Sequence, residues 1–282
     1  MMFLFISCLA TLFAFSSAQS PGSIKMCQLS RDCDVDEHCA KGLLCADEHK
    51  GALTEAGFDP RKANCTKMML MSTNEVCFAP SILDKKYKVT VTSLAYRQPF
   101  GPFFVLTHND KLVEPLFVVG TPASSALGVL AEEGSPADLV TKYTGAVGVG
   151  SAAAVTNGQS PPLLDLGEKF SFNLTVPYMY PYVSMASMAV NTNDCFAGIN
   201  SMMVNDGLVI MSPGYDSGTE INNEECEYIP GPACAAVAKL PPAGNGEGFI
   251  HVHRGVHGIA DLADNVYDWR NPMLRLKFEM YA

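Results

Sequence analysis

The chain has 282 residues and a formal net charge of −10 at pH 7. This acidic balance argues against nucleic-acid binding, which needs Lys and Arg side chains to neutralise phosphates, and it suits a soluble protein and divalent cations. The ten cysteines favour an oxidising, extracellular environment.

Residues 1–18 have the character of a secretory signal peptide. The apolar run FLFISCLATLFAF is followed by Ser16, Ser17 and Ala18, small residues that suit cleavage before Gln19. The run is shorter than the roughly 20 apolar residues that cross a bilayer, and no second long apolar segment follows it. We therefore expect a secreted, extracellular protein without a membrane span.

Residues 19–84 are predicted to form a small cysteine-rich module with its linker. Nine cysteines follow the signal segment, and six of them lie between residues 27 and 77. Such density in a secreted segment predicts a disulfide framework, whose six members allow fifteen pairings. The candidate partners are Cys27, Cys33, Cys39, Cys45, Cys65 and Cys77.

Two Asn-X-Ser/Thr sequons are candidate acceptors of N-linked glycans. Asn64 lies in the cysteine-rich module, and Asn173 lies in the domain that follows it. Both agree with an extracellular location, because this modification belongs to secreted proteins.

Residues 85–282 are long enough for one domain with a substantial core. Tyr87, Val89 and Val91 alternate with polar residues, which is the two-residue period of a half-buried strand. Turns rich in Gly, Pro and Asn separate several such segments. Further strand candidates are residues 103–108, 116–120, 170–176 and 274–280. We predict an all-β fold, an antiparallel β-sandwich with short helical insertions.

Two short helices are predicted inside this domain. Thr121 is a candidate N-cap that is followed by a proline, and Gly134 is a candidate terminator. Between them, Leu127 and Leu130 are expected to face the core. The dipeptide 135–136, Ser-Pro, repeats the start signal for a second helix.

The segment of residues 247–262, EGFIHVHRGVHGIADL, holds three of the six histidines. His251 and His253 stand two residues apart, which places both on one face of a strand, and His257 follows closely. Imidazole ligands suit zinc or copper, so a metal-dependent enzyme is one hypothesis. The alternative is that these histidines form hydrogen bonds at a sandwich edge or lie on a polar face.

Acidic residues in two other segments suit a different metal. Asp194 lies in NTNDCFAG, and Asp216 and Glu220 lie in PGYDSGTEINNEE. Calcium takes six to eight oxygen ligands, which carboxylates on loops at one end of a sandwich can supply. Asp216 and Glu220 are close enough to share a loop, whereas the fold must bring Asp194 to them. The alternative is an acidic turn exposed to solvent.

Three cysteines belong to the domain itself. Cys226 and Cys234 flank EYIPGPA, a loop that a disulfide would close, since two free thiols are unusual outside the cell. Cys195 is then either buried and free or paired with another chain. Trp269, the only tryptophan, is expected to be a packing anchor.

Several segments together resemble the spondin N-terminal family, the extracellular domain named after F-spondin. The resemblance covers roughly residues 85–278, and the matching segments follow one another in the same order as in the family. They are YKVTVTSL, PFFVLTH, LFVVGTPASSALGVLAEEG, ASMAVNTNDCFAGINS, GYDSGTEINNE, IPGPA, EGFIHVHRGVHG and YDWRNP. Because the histidine segment is one of these matching segments, the resemblance implies that it belongs to a fold signature.

The resemblance implies an antiparallel sandwich of about eight strands, similar to a C2 domain, that binds calcium through loop carboxylates. The family's metal-binding aspartates correspond to Asp194 and Asp216. The third position corresponds to Glu220, a glutamate where F-spondin-like members have aspartate.

The resemblance also implies an extracellular adhesion or matrix-binding module without catalysis. Its partner would be a matrix protein, a cell-surface protein or a glycan. A metal-dependent enzyme that uses His251, His253 and His257 is the alternative.

Overall fold

The computed structural model describes residues 44–45, 50–55, 77–78, 80–159, 164–239 and 243–281. The chain divides into two compact units, Met1–Ile82 and Leu83–Ala282. Residues 1–18, predicted as a signal peptide, lie outside the described residues. The same holds for Cys27, Cys33, Cys39, Cys65 and Asn64.

The described part of the first unit contains one short antiparallel pair and one helix. Strand β1 (Leu44–Cys45) pairs with strand β2 (Cys77–Phe78), and helix α1 (Lys50–Glu55) lies between them in the sequence. A 3-10 helix at Pro80–Leu83 follows. The pairing sets Cys45 opposite Cys77 in the register.

The second unit contains ten strands among its described residues, all paired antiparallel. Their bounds are β3 Lys85–Ser93, β4 Phe100–His108, β5 Val149–Val155, β6 Lys169–Val176, β7 Tyr182–Ala189, β8 Cys195–Met203, β9 Val209–Ser212, β10 Gly214–Asp216, β11 His251–Val252 and β12 Leu274–Tyr281. One sheet has the order β11-β10-β8-β7-β4-β5, and the other has the order β6-β3-β12-β9.

The main core lies between these two sheets. From the four-stranded sheet, Val89, Val91 and Phe278 are fully buried, and they share one hydrophobic cluster with Phe103 of the six-stranded sheet. The rings of Phe103 and Phe170 lie 5.6 Å apart across the sandwich. The predicted antiparallel β-sandwich is therefore confirmed. It has ten strands among the described residues, whereas the resemblance implied about eight.

Two helices cover the outer face of the six-stranded sheet and form a second core there. Helix α2 (Ser125–Glu133) and helix α3 (Ala137–Tyr143) bring Leu127, Leu130 and Leu139 against Phe104 of β4. With both faces covered, β4 is almost wholly buried. This explains why its sequence is a continuous apolar run rather than an alternating one. A short helix, α4 (Asp264–Tyr267), lies near the end of the chain.

The predicted helix signals are correct in part. Leu127 and Leu130 face the core, and Gly134 ends α2 in the left-handed conformation with φ of 68°. The N-cap, however, is Ser124 rather than Thr121, because the Ser124 side chain accepts the hydrogen bond from the backbone N–H of Leu127.

Residues 116–120, predicted as a strand, form an irregular segment instead. Leu116 and Phe117 are buried, and the Phe117 ring lies 5.1 Å from the Phe196 ring and 5.0 Å from the Tyr215 ring. The apolar run therefore packs onto the outer face of the sheet and joins no ladder. Apolar runs of this length do not distinguish these outcomes by period alone.

The cysteines of this unit behave as two distinct classes. Cys226 and Cys234 form the predicted disulfide, which closes a loop of sequence separation 8. Cys195 is free and fully buried in the main core. Trp269 is 2% exposed within the same core, which confirms its predicted packing role.

Over the described part of the chain, none of the helices has the length and apolar character needed to cross a bilayer.

Gly198 tests how tightly strands β7 and β8 are paired. A Cβ atom at Gly198 would lie 2.0 Å from the backbone oxygen of Met185, so we expect Gly198→Ala to lower the free energy of unfolding by about 1–3 kcal/mol. Gly101→Ala is the matched control in β4, because its Cβ would meet nothing closer than 3.6 Å. Thermal unfolding measures both variants, and equal midpoints would contradict the close approach.

The reactivity of Cys195, the first residue of β8, tests whether the start of this strand is buried. Burial raises the pKa of its thiol well above the ordinary value, and the charges of Asp216 and Asp194 raise it further. We expect no alkylation of Cys195 by iodoacetamide in the folded protein and complete alkylation after unfolding, since the thiolate is the reactive form. Peptide mass spectrometry measures this. Alkylation in the folded state, or a disulfide-linked dimer that Cys195→Ala removes, would contradict it.

Candidate functional site

The acidic and histidine segments meet at one edge of the six-stranded sheet. Asp216, the last residue of β10, pairs with Cys195, the first residue of β8, and with His251, the first residue of β11. In antiparallel pairs, the end of one strand lies beside the start of its neighbour. The fold therefore brings Asp194, just before β8, to the same edge as Asp216 and His251.

Asp194 is fully buried, and its two carboxylate oxygens differ sharply. Oδ2 accepts hydrogen bonds from Ser217 Oγ at 2.8 Å, Thr219 N at 2.8 Å and Glu220 N at 3.1 Å, with Thr219 Oγ1 at 3.3 Å. Oδ1 is buried and has no hydrogen-bond partner. Burial raises the pKa of Asp194, although these hydrogen bonds act in the opposite direction.

Asp216 and Glu220 are also buried, at 0% and 5% exposure. Burial raises the pKa of Asp216 to about 6, and the charge of Asp194 adds to the shift. Burial likewise raises the pKa of Glu220 to about 7, with further contributions from Glu132 and Asp194. Both pKa values rise because burial and a neighbouring negative charge disfavour the ionised carboxylate.

Glu132, in the last turn of α2, is a fourth carboxylate of this group. Its pKa is raised by burial and by the charges of Asp194 and Glu133, while the nearby Thr219 side chain acts in the opposite direction. Helix α2 packs so closely here that a Cβ on Gly128 would lie 3.3 Å from the Thr219 methyl group. The sequence gives no signal for Glu132, because only the tertiary packing of α2 brings it to the loop after β10.

No described Lys or Arg neutralises these carboxylates. The described ion pairs of Lys and Arg lie elsewhere, and the basic side chains close to Asp216 are the rings of His251, at 3.8 Å, and His253, at 4.0 Å. Buried carboxylates without a cationic partner are unfavourable unless a proton or a metal ion balances them. An all-oxygen donor set of this kind fits calcium, a hard cation. The unpartnered Oδ1 of Asp194 is a donor atom suited to such an ion.

The three histidines differ in environment. The Nδ1 atom of His253 accepts a hydrogen bond from Gly255 N at 3.0 Å, so its Nε2 carries the proton and donates to Asn222 Oδ1 at 3.2 Å. Burial lowers the pKa of His253 to about 4, which keeps the ring neutral. Its ring also packs 5.2 Å from the Trp269 ring. His257 is exposed.

His251 has carboxylate neighbours rather than histidine neighbours. Its Nε2 lies 3.8 Å from Asp216 Oδ1 and 3.9 Å from Glu247 Oε2. Among the described residues, Asp216, Glu247 and His251 form the set of possible metal ligands whose donor atoms all lie within 4.8 Å of one another. The predicted set of His251, His253 and His257 is not such a set, and both ring nitrogens of His253 are occupied by hydrogen bonds.

The carboxylates predicted from the sequence, Asp194, Asp216 and Glu220, all lie at this edge, but their oxygens do not all lie within 4.8 Å of one another. Glu220 Oε1 instead accepts a hydrogen bond from Ala243 N at 2.9 Å. Glu247 and Asn222 were missed by sequence reasoning. Glu247 stands four residues before His251, too far apart for their side chains to meet in an extended chain, and the bend at 248–249 brings them together.

Comparisons with known proteins add no family to this description. No model of a known protein family matches the chain, and no curated protein matches it either. The spondin resemblance stays a prediction that rests on the segments quoted above.

Glu220→Gln tests whether the buried carboxylates destabilise the metal-free protein. A folded-state pKa above the unfolded-state value favours folding at low pH, and that contribution is lost as the pH rises through about 7. In a chelator at about pH 8, we therefore expect Glu220→Gln to raise the free energy of unfolding by roughly 1–3 kcal/mol. The amide oxygen of Gln retains the acceptor for Ala243.

The measurement is thermal unfolding of both proteins with EDTA between about pH 5 and pH 8. The gap between variant and wild type should widen as the pH rises. Glu225→Gln is the control, because Glu225 is exposed in the same loop region. A gap that does not depend on pH would contradict the raised pKa of Glu220.

Proposed function

We propose that residues 85–282 form a spondin-like, calcium-binding domain of a secreted protein that acts by adhesion or matrix binding, without catalysis. The observation that carries this proposal is the group of buried carboxylates without a described Lys or Arg partner, together with the unpartnered Oδ1 of Asp194. The order of the spondin-like segments in the sequence supports the same function.

Asp194, Asp216 and Glu220 would hold the ion, and backbone carbonyls and water would complete its oxygen ligands. A calcium ion supplies the positive charge that the site otherwise lacks. It would tie the segment before β8 to the loop after β10, two loops whose carboxylates repel each other without it. Glu132 would add negative charge from α2 and favour a divalent ion further.

Several features support an extracellular setting. The Cys226–Cys234 disulfide belongs to an oxidising environment, and the N-terminal segment has the pattern of a secretory signal. The sequon residue Asn173 is exposed on β6, an edge strand of the four-stranded sheet, where a glycan has room. The partner we propose is a matrix protein, a cell-surface protein or a glycan.

Calcium is expected to raise the thermal midpoint of the purified protein above its value in EDTA. An ion that binds only the folded state stabilises it by about 2.7 kcal/mol at a hundredfold excess over Kd, or roughly 5–10 °C for a domain of this size. Asp194→Asn should abolish the calcium-dependent increase, whereas Asp110→Asn, an exposed control, should retain it. Equal midpoints with calcium and EDTA would contradict the proposed calcium site.

The adhesive role is tested with the same proteins. Wild type and Asp110→Asn should bind immobilised matrix proteins or surface glycans in calcium, and they should lose binding in EDTA. Asp194→Asn should bind weakly in both conditions. Binding that does not depend on calcium, in a protein that calcium stabilises, would separate the adhesive surface from the metal site.

A further inference from the structure

His251, Glu247 and Asp216 present three acceptor atoms to one another at distances too long for hydrogen bonds. The Nε2 of His251 lies 3.8 Å from Asp216 Oδ1 and 3.9 Å from Glu247 Oε2, beyond the usual donor–acceptor range of about 2.7–3.2 Å. The three atoms that could bind a metal ion all lie within 4.8 Å of one another. A point equidistant from them is at most about 2.5 Å from each, between a zinc–nitrogen bond and the longest calcium–oxygen bonds.

The ring of His251 is oriented with one nitrogen toward this point. Its other nitrogen, Nδ1, lies 3.3 Å from the carbonyl oxygen of Val252. With the proton on Nδ1 for that carbonyl, Nε2 carries a lone pair directed at the carboxylates. A backbone carbonyl on the second nitrogen is the usual arrangement for a metal-binding histidine.

Asn222 orients the carboxylates of Asp216 and Glu247 by contacting the oxygen of each that does not face His251. Its Nδ2 donates to Asp216 Oδ2 at 2.5 Å and lies 3.4 Å from Glu247 Oε1, so the other oxygen of each carboxylate faces His251. The amide cannot flip, because His253 Nε2 donates to its Oδ1 at 3.2 Å. Gly255 N fixes the tautomer of His253 in turn. This chain of outer partners is what a metal site needs to hold its ligands in place.

The three residues line a cleft of about 550 Å³, which admits an ion and its remaining ligands. The side chains of His251 and Glu247 are 31% and 38% exposed, whereas Asp216 is fully buried. Three protein ligands with an open side toward a cleft are typical of zinc sites that keep a position for water or another ligand. An imidazole ligand favours zinc over calcium.

We propose that His251 Nε2, Glu247 and Asp216 bind a divalent transition-metal ion of the zinc class at the mouth of this cleft. This site shares Asp216 with the proposed calcium site, whose other two carboxylates are Asp194 and Glu220. Its open coordination positions face the cleft, so an oxygen or nitrogen ligand that enters there would complete the coordination.

Zinc binding by the full-length, EDTA-treated and dialysed protein tests this proposal. Titration with zinc chloride by calorimetry should show one more bound zinc in the wild type than in His251→Ala or Glu247→Gln. His257→Ala and Glu225→Gln are the matched controls, since His257 lines the same cleft and Glu225 lies in a neighbouring loop. Both controls should match the wild type, whatever zinc the cysteine-rich module binds.

Asn222→Ala adds a test of the outer partners. It should weaken this zinc about 10- to 100-fold, the usual effect of removing such a partner. Identical zinc isotherms for wild type, His251→Ala and Glu247→Gln would overturn the proposal. Circular dichroism of each variant confirms that it is folded.

The two metal proposals fail separately. His251→Ala should lose the zinc and keep the calcium-dependent rise in thermal midpoint, whereas Asp194→Asn should keep the zinc and lose that rise. Loss of the zinc difference alone overturns the inference at His251 and leaves the calcium proposal intact. Loss of the calcium response alone does the reverse.

Discussion

The hydrogen bonds to one oxygen of Asp194 determine the geometry of the functional edge. Asp194 lies just before β8, and its Oδ2 accepts hydrogen bonds from Ser217, Thr219 and Glu220, which follow β10. These bonds fix the turn that leaves β10. Because Asp216 ends that strand and Glu220 ends that turn, the direction of both carboxylates depends on Asp194. A neutral, apolar residue at this position would leave the donors of the turn unpaired.

The same arrangement creates an excess of negative charge that no Lys or Arg of the described residues neutralises. Four carboxylates occupy the region between α2 and the sheet edge, and His253 is neutral there. Hydrogen bonds satisfy single oxygens, but they do not cancel charge. At low pH protons balance these groups, and at neutral pH a divalent cation is the more effective counter-charge. The packing of Glu132 and Glu220 beside Asp194 therefore supports the proposed binding of a cation.

The sequence predicted the architecture better than the site because period and turn chemistry are local signals. The alternation of Tyr87, Val89 and Val91 identified β3, and Gly134 identified the end of α2. Short strands such as β10 carry no such signal, since three residues show no period. Their position depends on pairing with β8, which is a property of the whole sheet.

The site residues show the same limit. The acidity of Asp194 and Asp216 is visible in the sequence, and it predicts a site rich in oxygen ligands. Glu132 and Glu247 were not visible as partners, because each reaches the site through a contact distant in sequence or through a turn. The histidine pair suggested a joint site, but strand β11 ends at Val252, and His253 leaves the strand to pack on Trp269.

Asp216 is the residue at which the two proposed metal sites meet. One of its oxygens faces His251 and the other accepts from Asn222, while Asp194 lies close enough to raise its pKa. A carboxylate shared between two cations reduces the repulsion between them, because its negative charge lies between both. The buried oxygen set suits an ion that fixes the loops, whereas the half-exposed histidine set opens onto the cleft. Under the two proposals, calcium would have a structural role at this edge and the second ion a ligand-binding role, with Asp216 common to both.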